Sequence, residues 1–462
     1  MFIVTGVRFA QLAILARVLD PVDFGLMAIM MVVIGFSQAF QDMGISNAII
    51  QRQNISHTQL SSLYWLNIFS GVLVGIIIAA IAPFIAEFYN DIRITNLLII
   101  LSTSFALAAI GNQYRVLCQK NLDFRTFETI NIIGAVAGLI ISVCLAFKGF
   151  GVLSLVLGMI VQVGLSSLLF LWVGLNHYHR PSLVYRHSEL RGIYEFGLYQ
   201  MGERAINYIS ANADKILIGK FAGLNATGIY NLGWSLVIFP LSSLNPIVNK
   251  VSFPIYSNIQ EDLGALNRYY CLSIRALSVA TMPILVFLLF FSQEVVQVMF
   301  GNRWLGVAEL LPALALVGII KALGNPGGAI TLALGRADVG FWWNLIWAIF
   351  VISGLSIGLS IVPSAQIAAD ILVGLSLTVG LFWHYLIARI SKVDYRPIVK
   401  HLLQLFLVVF GIVSLSLYIT GLTSIDQPFI RILIAGIFCI LFYTPYLFLF
   451  EKQLLQMIKE KS

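Results

Sequence analysis

Residues 196–221 read FGLYQMGERAINYISANADKILIGKF, and this stretch decides what kind of fold the chain adopts. It is long enough to cross a bilayer as a helix, yet it carries Glu203, Arg204, Asp214 and Lys215. One charge at the bilayer centre costs about 2.5–3.5 kcal/mol, so four charges facing lipid would cost roughly 10 kcal/mol. We therefore predict a membrane helix whose charged side faces protein or water.

The polar residues of this segment recur at helical spacing. Intervals of three and four residues place them on one face, which consists of Gln200, Glu203, Asn207, Ser210 and Asp214. Arg204 and Lys215 lie on the adjacent stripe. Two neutralising pairs between helices are one interpretation, and the wall of a water-filled cavity is the other. The length of the polar face favours the cavity.

Composition identifies the environment of the whole chain. Of 462 residues, 59% are hydrophobic and 11% are charged, whereas soluble domains carry about 25% charged residues. We predict an all-α polytopic membrane protein, because only helices satisfy the backbone of such long apolar spans. The net charge of +7 is then no sign of a nucleic-acid partner.

Fourteen apolar spans can be read along the chain. They cover residues 1–19, 24–46, 61–86, 94–112, 128–147, 151–174, 196–220, 228–251, 268–291, 305–323, 341–361, 366–388, 402–420 and 429–449. Lys and Arg concentrate in alternate loops, in a set that includes the C-terminal tail. The positive-inside rule therefore predicts that this set and both termini are cytoplasmic.

The basic stretch 175–195 divides the spans into two groups. We predict a six-helix lobe at 1–174, a cytoplasmic linker at 175–195, a second six-helix lobe at 196–388, and two further helices with a tail at 389–462. A weak repeat at an offset of 203 supports this division, since LARV and FGL at 15–18 and 24–26 align with IGKF and TGI at 218–221 and 227–229. The histidines near the linker, His177, His179 and His187, are interpreted as part of a solvated basic loop.

Charges within the spans mark the candidate site. Arg204, Lys250, Arg275 and Lys321 lie near the predicted inner ends of four successive spans, where they form either a ring for an anionic headgroup or separate snorkelling side chains. The predicted cavity residues are Arg8, Arg17, Gln200, Glu203, Arg204, Asn207, Asp214, Lys215, Lys250, Arg275 and Lys321. Glu203 and Asp214 are also candidates for carrying a coupling proton.

Enzymatic signatures are missing from the sequence. There is no Walker loop, HExxH or GxSxG pattern, and the spacing of the four cysteines fits no metal site. We predict a protein that is not an enzyme and binds no metal or cofactor. The longest predicted outer loop, around 292–304, is too short for a catalytic domain, and Trp304 is assigned to an interfacial aromatic belt.

Several segments resemble the polysaccharide repeat-unit flippases of the colanic-acid (Wzx) type, in the multidrug, oligosaccharidyl-lipid and polysaccharide exporter superfamily. The matching segments are ILARVLDPVDFG at 14–25, AIIQR at 48–52, GFGVLSLV at 149–156, ADKILIGKF at 213–221 and FPIYS at 253–257. Members of that family usually begin some twenty residues earlier, with a basic amphipathic lead into the first helix, whereas this chain begins inside that helix.

The resemblance implies two six-helix lobes in a V shape, alternating access and the bacterial inner membrane. It implies as substrate an undecaprenyl-diphosphate-linked oligosaccharide, with membrane lipids around a monomeric protein and the polysaccharide polymerase machinery as a partner. A cation-coupled multidrug antiporter of the same superfamily and a membrane enzyme of polysaccharide polymerisation stay as alternatives. The first alternative would favour an acidic pocket, and the second a sizeable outer loop.

Overall fold

The structure is a computed structural model that describes residues 2–41, 46, 49–50, 55–186, 193–422 and 427–451, with backbone only at residues 2, 193–200, 203 and 337. These residues form fifteen α-helices, and the chain divides into two compact units, 1–228 and 229–462. The first unit contains α1 (Phe2–Ala16), α2 (Pro21–Gln41), α3 (His57–Tyr89), α4 (Arg93–Lys120), α5 (Phe124–Phe147), α6 (Val152–His177) and α7 (Ile193–Phe221).

Helix α8 (Gly223–Asn258) continues from the first unit into the second. The second unit then contains α9 (Leu263–Phe290), α10 (Ser292–Met299), a 3-10 turn at Asn302–Trp304, α11 (Leu305–Ala333), α12 (Ala337–Ile361), α13 (Ala365–Ser391), α14 (Arg396–Leu422) and α15 (Pro428–Phe450). The boundaries at residues 174, 195 and 388 separate the predicted lobes from their neighbouring segments, and they stay a prediction.

Each of the fourteen predicted spans coincides with a helix. Twelve helices among the described residues are long and apolar enough to cross a membrane, which confirms the all-helical polytopic fold. The two others are α1, with 15 residues, and α7, whose apolar stretches are interrupted by its charges. The polar character that singled out residues 196–221 is thus what distinguishes α7 from its neighbours.

The core of the first unit lies between α2, α3, α4 and α6. Leu26 and Met30 of α2 pack there with Leu101 and Phe105 of α4. One polar group beside this core is satisfied within the protein, since the Gln41 amide donates to the Phe105 carbonyl at 3.0 Å. Such pairing is required where no water reaches the backbone.

Two glycines separated by the predicted repeat offset meet where α2 begins against the start of α8. A Cβ added to Gly25 would lie on the Leu224 carbonyl oxygen, and one added to Gly228 would lie on the Pro21 carbonyl oxygen. Pro21 and Leu224 are also 203 residues apart, so the two contacts are reciprocal. Close backbone approach of this kind needs residues without a side chain.

The start of the predicted linker packs against α3 and α4. His179 is only 6% exposed, its ring contacts that of His57 at 4.3 Å, and its Nε2 lies 3.3 Å from the Ser61 hydroxyl. The Trp65 indole donates to the Ser182 carbonyl at 2.9 Å. The interpretation of His179 as part of a solvated loop was therefore wrong, because neighbouring helices bury it. His187 lies outside the described residues.

Because His179 is buried, we expect the stability of the fold to depend on pH. Burial and the nearby His57 lower the pKa of His179 from 6.5 to about 4, so the unfolded chain binds a proton that the folded chain does not. Stability should be complete above pH 6.5 and decline below it, by roughly 2 kcal/mol at pH 5. Melting temperatures at pH 7.5 and 5 should differ less in His179→Gln than in the wild type. The exposed His177, changed to Gln, is the control and should retain the wild-type difference.

The second unit corrects two expectations. The stretch 292–304 is not an open loop, because it forms α10 and the 3-10 turn. Trp304 is fully buried and therefore belongs to the core rather than to an interfacial belt. Its nearness to a span end in the sequence could not reveal that α10 and α11 enclose it.

Candidate functional site

Helix α7 is fixed against α2 by a tyrosine. The Tyr208 hydroxyl donates to the Met31 carbonyl at 3.0 Å, and its ring occupies the space where a side chain of Gly35 would lie. This contact sets the rotation of α7. With Tyr208 turned towards α2, Asp214 is buried at 7% exposure, while Arg204, Asn207 and Lys215 are half-buried.

Removing the Tyr208 hydroxyl should weaken the attachment of α7 to α2 without changing any charge. We expect Tyr208→Phe to destabilise the protein by about 1 kcal/mol, because the Met31 carbonyl loses its donor. Thermal unfolding of the purified protein measures the effect. Tyr418→Phe is the control, since Tyr418 is exposed and its change should leave the melting temperature unaltered. Equal melting temperatures for Tyr208→Phe and wild type would contradict the proposed anchor.

Lys215 is held by its own helix. Its Nζ donates to the Asn212 Oδ1 at 3.3 Å, while the Asn212 amide donates to the Tyr208 carbonyl at 3.0 Å. The Lys215 backbone N–H donates to Asp214 Oδ1 at 2.8 Å. The sequence reasoning missed Asn212, although its position three residues before Lys215 is the spacing at which helical side chains meet.

The other predicted residues of the first unit have different environments. Arg8 is exposed on α1 and Arg17 is exposed directly after it, while Gln11 of α1 donates to the Ser142 hydroxyl of α5 at 3.0 Å. The side chains of Gln200 and Glu203 lie outside the described part of the chain. The structure therefore gathers Arg204, Asn207, Asp214 and Lys215 on α7 and leaves the role of every predicted residue a prediction.

An apolar groove of about 700 Å³ lies between α2, α3 and α7. Its lining includes Phe36, Ile81 and Phe88 as well as Tyr208. The Lys220 ammonium donates to the Phe88 carbonyl at 2.7 Å and lies 4.5 Å from the centre of the Phe88 ring. The groove thus combines a hydrocarbon-like wall with a cation beside one of its lining residues.

In the second unit, Lys321 of α11 is held between aromatic rings. Its Nζ lies 4.7 Å from the centre of the Trp234 ring and 5.9 Å from that of Trp347, in the range of cation–π attraction. Four residues after Lys321, Asn325 exchanges amide hydrogen bonds with Asn249, at 3.1 and 3.4 Å. The exposed Lys250 follows Asn249 directly.

Arg275, the remaining member of the predicted ring in this unit, faces other partners. Its Nε lies 3.4 Å from Glu451 Oε2 and 3.3 Å from His401 Nδ1. Lys321 thus contacts two tryptophans, whereas Arg275 contacts the carboxylate of Glu451. The sequence reasoning missed Trp234, Trp347, His401 and Glu451, which lie tens of residues or more from the cations that they contact.

Among the described residues, no group of three His, Cys, Asp or Glu side chains could hold a metal ion. The four cysteines are free thiols. The candidate site is therefore defined by charged and amide side chains on apolar helices. Such groups within membrane segments typically line substrate or ion pathways.

Residues 14–309 match the family model described as "Polysaccharide biosynthesis protein", and the chain belongs to this family. A relative from Bacillus subtilis, the teichuronic acid biosynthesis protein TuaB, is 31% identical, over 95% of this chain and 92% of its own. The lipopolysaccharide biosynthesis protein WzxC of Escherichia coli is 29% identical, over 88% and 82% of the respective chains.

The fold is also that of a solved transporter. The lipid II flippase MurJ, in an inward closed conformation, superposes with a TM-score of 0.76 over 96% of this chain and 97% of its own, at 14% sequence identity. At this identity the likeness shows a shared fold, and it gives no information about the residues of the site. Together, these comparisons confirm the resemblance drawn from the sequence motifs.

Proposed function

We propose that the protein is a flippase that moves undecaprenyl-diphosphate-linked oligosaccharide repeat units across the bacterial inner membrane, from the cytoplasmic to the periplasmic leaflet, for surface polysaccharide synthesis. The observation that carries the proposal is the polar side of α7, where Arg204, Asn207, Asp214 and Lys215 occupy a helix among apolar membrane helices. Membership of a polysaccharide biosynthesis family and the fold shared with a lipid II flippase support it.

The chemistry of such a substrate matches the side chains available. A diphosphate is bound strongly by cations in a partly desolvated site. Among the candidates, Arg8, Lys250 and Lys321 are exposed on apolar helices, and Arg17 is exposed directly after α1. Amides such as Asn207 suit sugar hydroxyls. With the cell interior negative, outward movement of an anion gains about 2.3 kcal/mol per charge per 100 mV, so alternating access can proceed without a coupled ion.

The remaining features of the proposal follow from the charge pattern of the loops and from the resemblance. Both termini are cytoplasmic, the lobes are 1–174 and 196–388, and the two helices within 389–462 are additional. The protein works as a monomer and delivers its product to the polysaccharide polymerase machinery. It does not itself catalyse polymerisation, since the membrane helices present charges for binding rather than a nucleophile and base.

Deletion of the gene tests the function. We expect loss of one surface glycan and accumulation of its lipid-linked repeat unit in the cytoplasmic leaflet, both restored by a plasmid-borne copy. Accumulation of the lipid-linked unit in the periplasmic leaflet would instead indicate a polymerisation enzyme. Unchanged surface glycans together with greater sensitivity to cationic drugs would contradict the proposal and indicate a multidrug antiporter.

A further inference from the structure

Helix α15 makes polar contacts with the second unit near both of its ends. Ala435 is its one buried residue over the helix as described. Near its start, Arg431 pairs with Glu294 of α10 at 3.0 Å, and towards its end the Tyr443 hydroxyl donates to the Val279 carbonyl of α9 at 2.7 Å. The last of these contacts is made by Glu451, directly after α15. The end of the helix is therefore held in part by Tyr443 and Glu451.

Glu451 has an incomplete set of partners. Its side chain is 2% exposed, and Oε2 lies 3.4 Å from the Arg275 Nε of α9. Oε1 lies 3.6 Å from the His401 Nδ1 of α14 and has no hydrogen-bond partner among the described residues, which end at Glu451. Leaving a buried acceptor without a donor is unfavourable, so this oxygen requires an explanation.

The positions of the hydrogen atoms explain why Glu451 Oε1 lacks a donor. Arg275 Nε–H points to His401 Nδ1 at 3.3 Å, so Nδ1 accepts and the ring proton of the neutral imidazole is on Nε2. Nε2 faces the Ser278 oxygen at 3.5 Å, and that hydroxyl can accept because its own proton goes to the Arg275 carbonyl at 3.0 Å. Oε1 therefore faces Nδ1 with no proton between the two atoms, while the lone pair of Nδ1 accepts the Arg275 Nε–H.

We propose that Glu451 and His401 form a binding site for one proton, which fastens the end of α15 to α9 and α14. A proton taken from a hydronium ion, which leaves water behind, adds to Nδ1 and creates an Nδ1–H···Oε1 hydrogen bond. The Arg275 Nε–H gives up its hydrogen bond to Nδ1 and donates to Glu451 Oε2 instead, which lies 3.4 Å away. The charged groups of the cluster then carry one net positive charge, from Arg275, protonated His401 and ionised Glu451. The proposal does not depend on which substrate the protein transports.

The surroundings favour a proton over a metal ion. The titratable groups that face Glu451 are Arg275 on α9 and the phenols of Tyr443 and Tyr446 on α15. Among the described residues no group of three His, Cys, Asp or Glu side chains could hold a metal ion, whereas a proton needs only the one contact of 3.6 Å between Nδ1 and Oε1. Burial raises the pKa of Glu451 above 4.5, and Arg275 partly opposes this effect.

Infrared pH-difference spectroscopy of the full chain in lipid nanodiscs tests the proposal. In wild type we expect one carboxyl or imidazole signal that titrates above pH 4.5. It should disappear in Glu451→Gln, because the amide carries no charge that would stabilise a proton on Nδ1. In parallel, lowering the pH from 7.5 to 5 should reduce the melting temperature less in wild type than in Glu451→Gln, because unfolded His401 binds a proton below about pH 6.5 and only the wild-type folded state binds one as well.

Two further variants make the test specific. His401→Phe removes one acceptor and leaves the carboxylate facing Arg275 alone, so its titration should move to lower pH. His384→Gln is the control, since His384 contacts Tyr395 at 3.3 Å and is not part of the cluster, and it should titrate as wild type. An unchanged titration in Glu451→Gln or in His401→Phe would overturn the proposal. So would displacement of the signal by sodium at fixed pH, which would indicate a metal-cation site.

Discussion

Changing Asp214 to alanine is expected to reduce export of the surface polysaccharide by about tenfold or more, while the protein still inserts at its normal level. Asp214 is buried on α7 and belongs to the polar side that carries the proposed function. A hydrogen bond to a charged group contributes about 1.5–3 kcal/mol, and each 1.4 kcal/mol corresponds to about a factor of ten in binding. Complementation of a deletion strain, with the glycan quantified and the membrane level measured, gives the result.

A residue of the same polar face provides the matched control. The Ser210 hydroxyl donates to the Ile206 carbonyl of its own helix at 2.9 Å, so Ser210→Ala removes a polar group that is already satisfied. Its export should stay near the wild-type level. Arg204→Ala should behave like Asp214→Ala if both side chains line the substrate path. Wild-type glycan in cells that produce either charge variant at normal level would refute the assignment of this helix to the cavity.

The largest expected effect on stability comes from the glycine contact between α2 and α8. Gly228→Ala should destabilise the protein by about 3 kcal/mol, at the upper end of typical overpacking costs, because the new Cβ would overlap the Pro21 carbonyl oxygen. Backbone cannot move aside as a flexible side chain would. Gly25→Ala should have a similar effect through Leu224. The amount of folded protein in the membrane and its melting temperature measure both.

Gly411→Ala is the control for the glycine variants. Gly411 lies within α14, and no atom lies within 4 Å of the position of an added Cβ. Alanine is favoured over glycine in a helix by about 1 kcal/mol, so this variant should be neutral or slightly stabilised. Normal folding of Gly25→Ala and Gly228→Ala would show that the helices do not approach as closely as described.

Features that depend on residues close together in the chain were predicted correctly. Each apolar span became a helix, and the charges of residues 196–221 separated α7 from the twelve helices that are apolar enough to cross a membrane. The repeat at an offset of 203 aligned Gly25 with Gly228 in the sequence, but it could not show that the helices carrying the two glycines touch. The family assignment likewise followed from short motifs, because those motifs are contiguous in the sequence.

Contacts between distant segments were not predictable in the same way. Trp304 and His179 looked like surface residues, and each is buried by helices that the sequence does not place beside it. Arg275 was grouped with Lys250 and Lys321 because all three are cations at similar predicted depth. In the structure its closest acidic partner is Glu451, 176 positions further along the chain, and no periodic pattern connects the two.

The sequence by itself determined that the chain is a helical membrane protein with charges inside its spans, because hydropathy and helical periodicity are properties of adjacent residues. Only the tertiary structure decided how those charges are partnered. It turned Tyr208 towards α2, buried Asp214, placed Lys321 between two tryptophans, and enclosed Glu451 with Arg275 and His401. These arrangements depend on which helix faces lie together, and that is decided by packing across the fold.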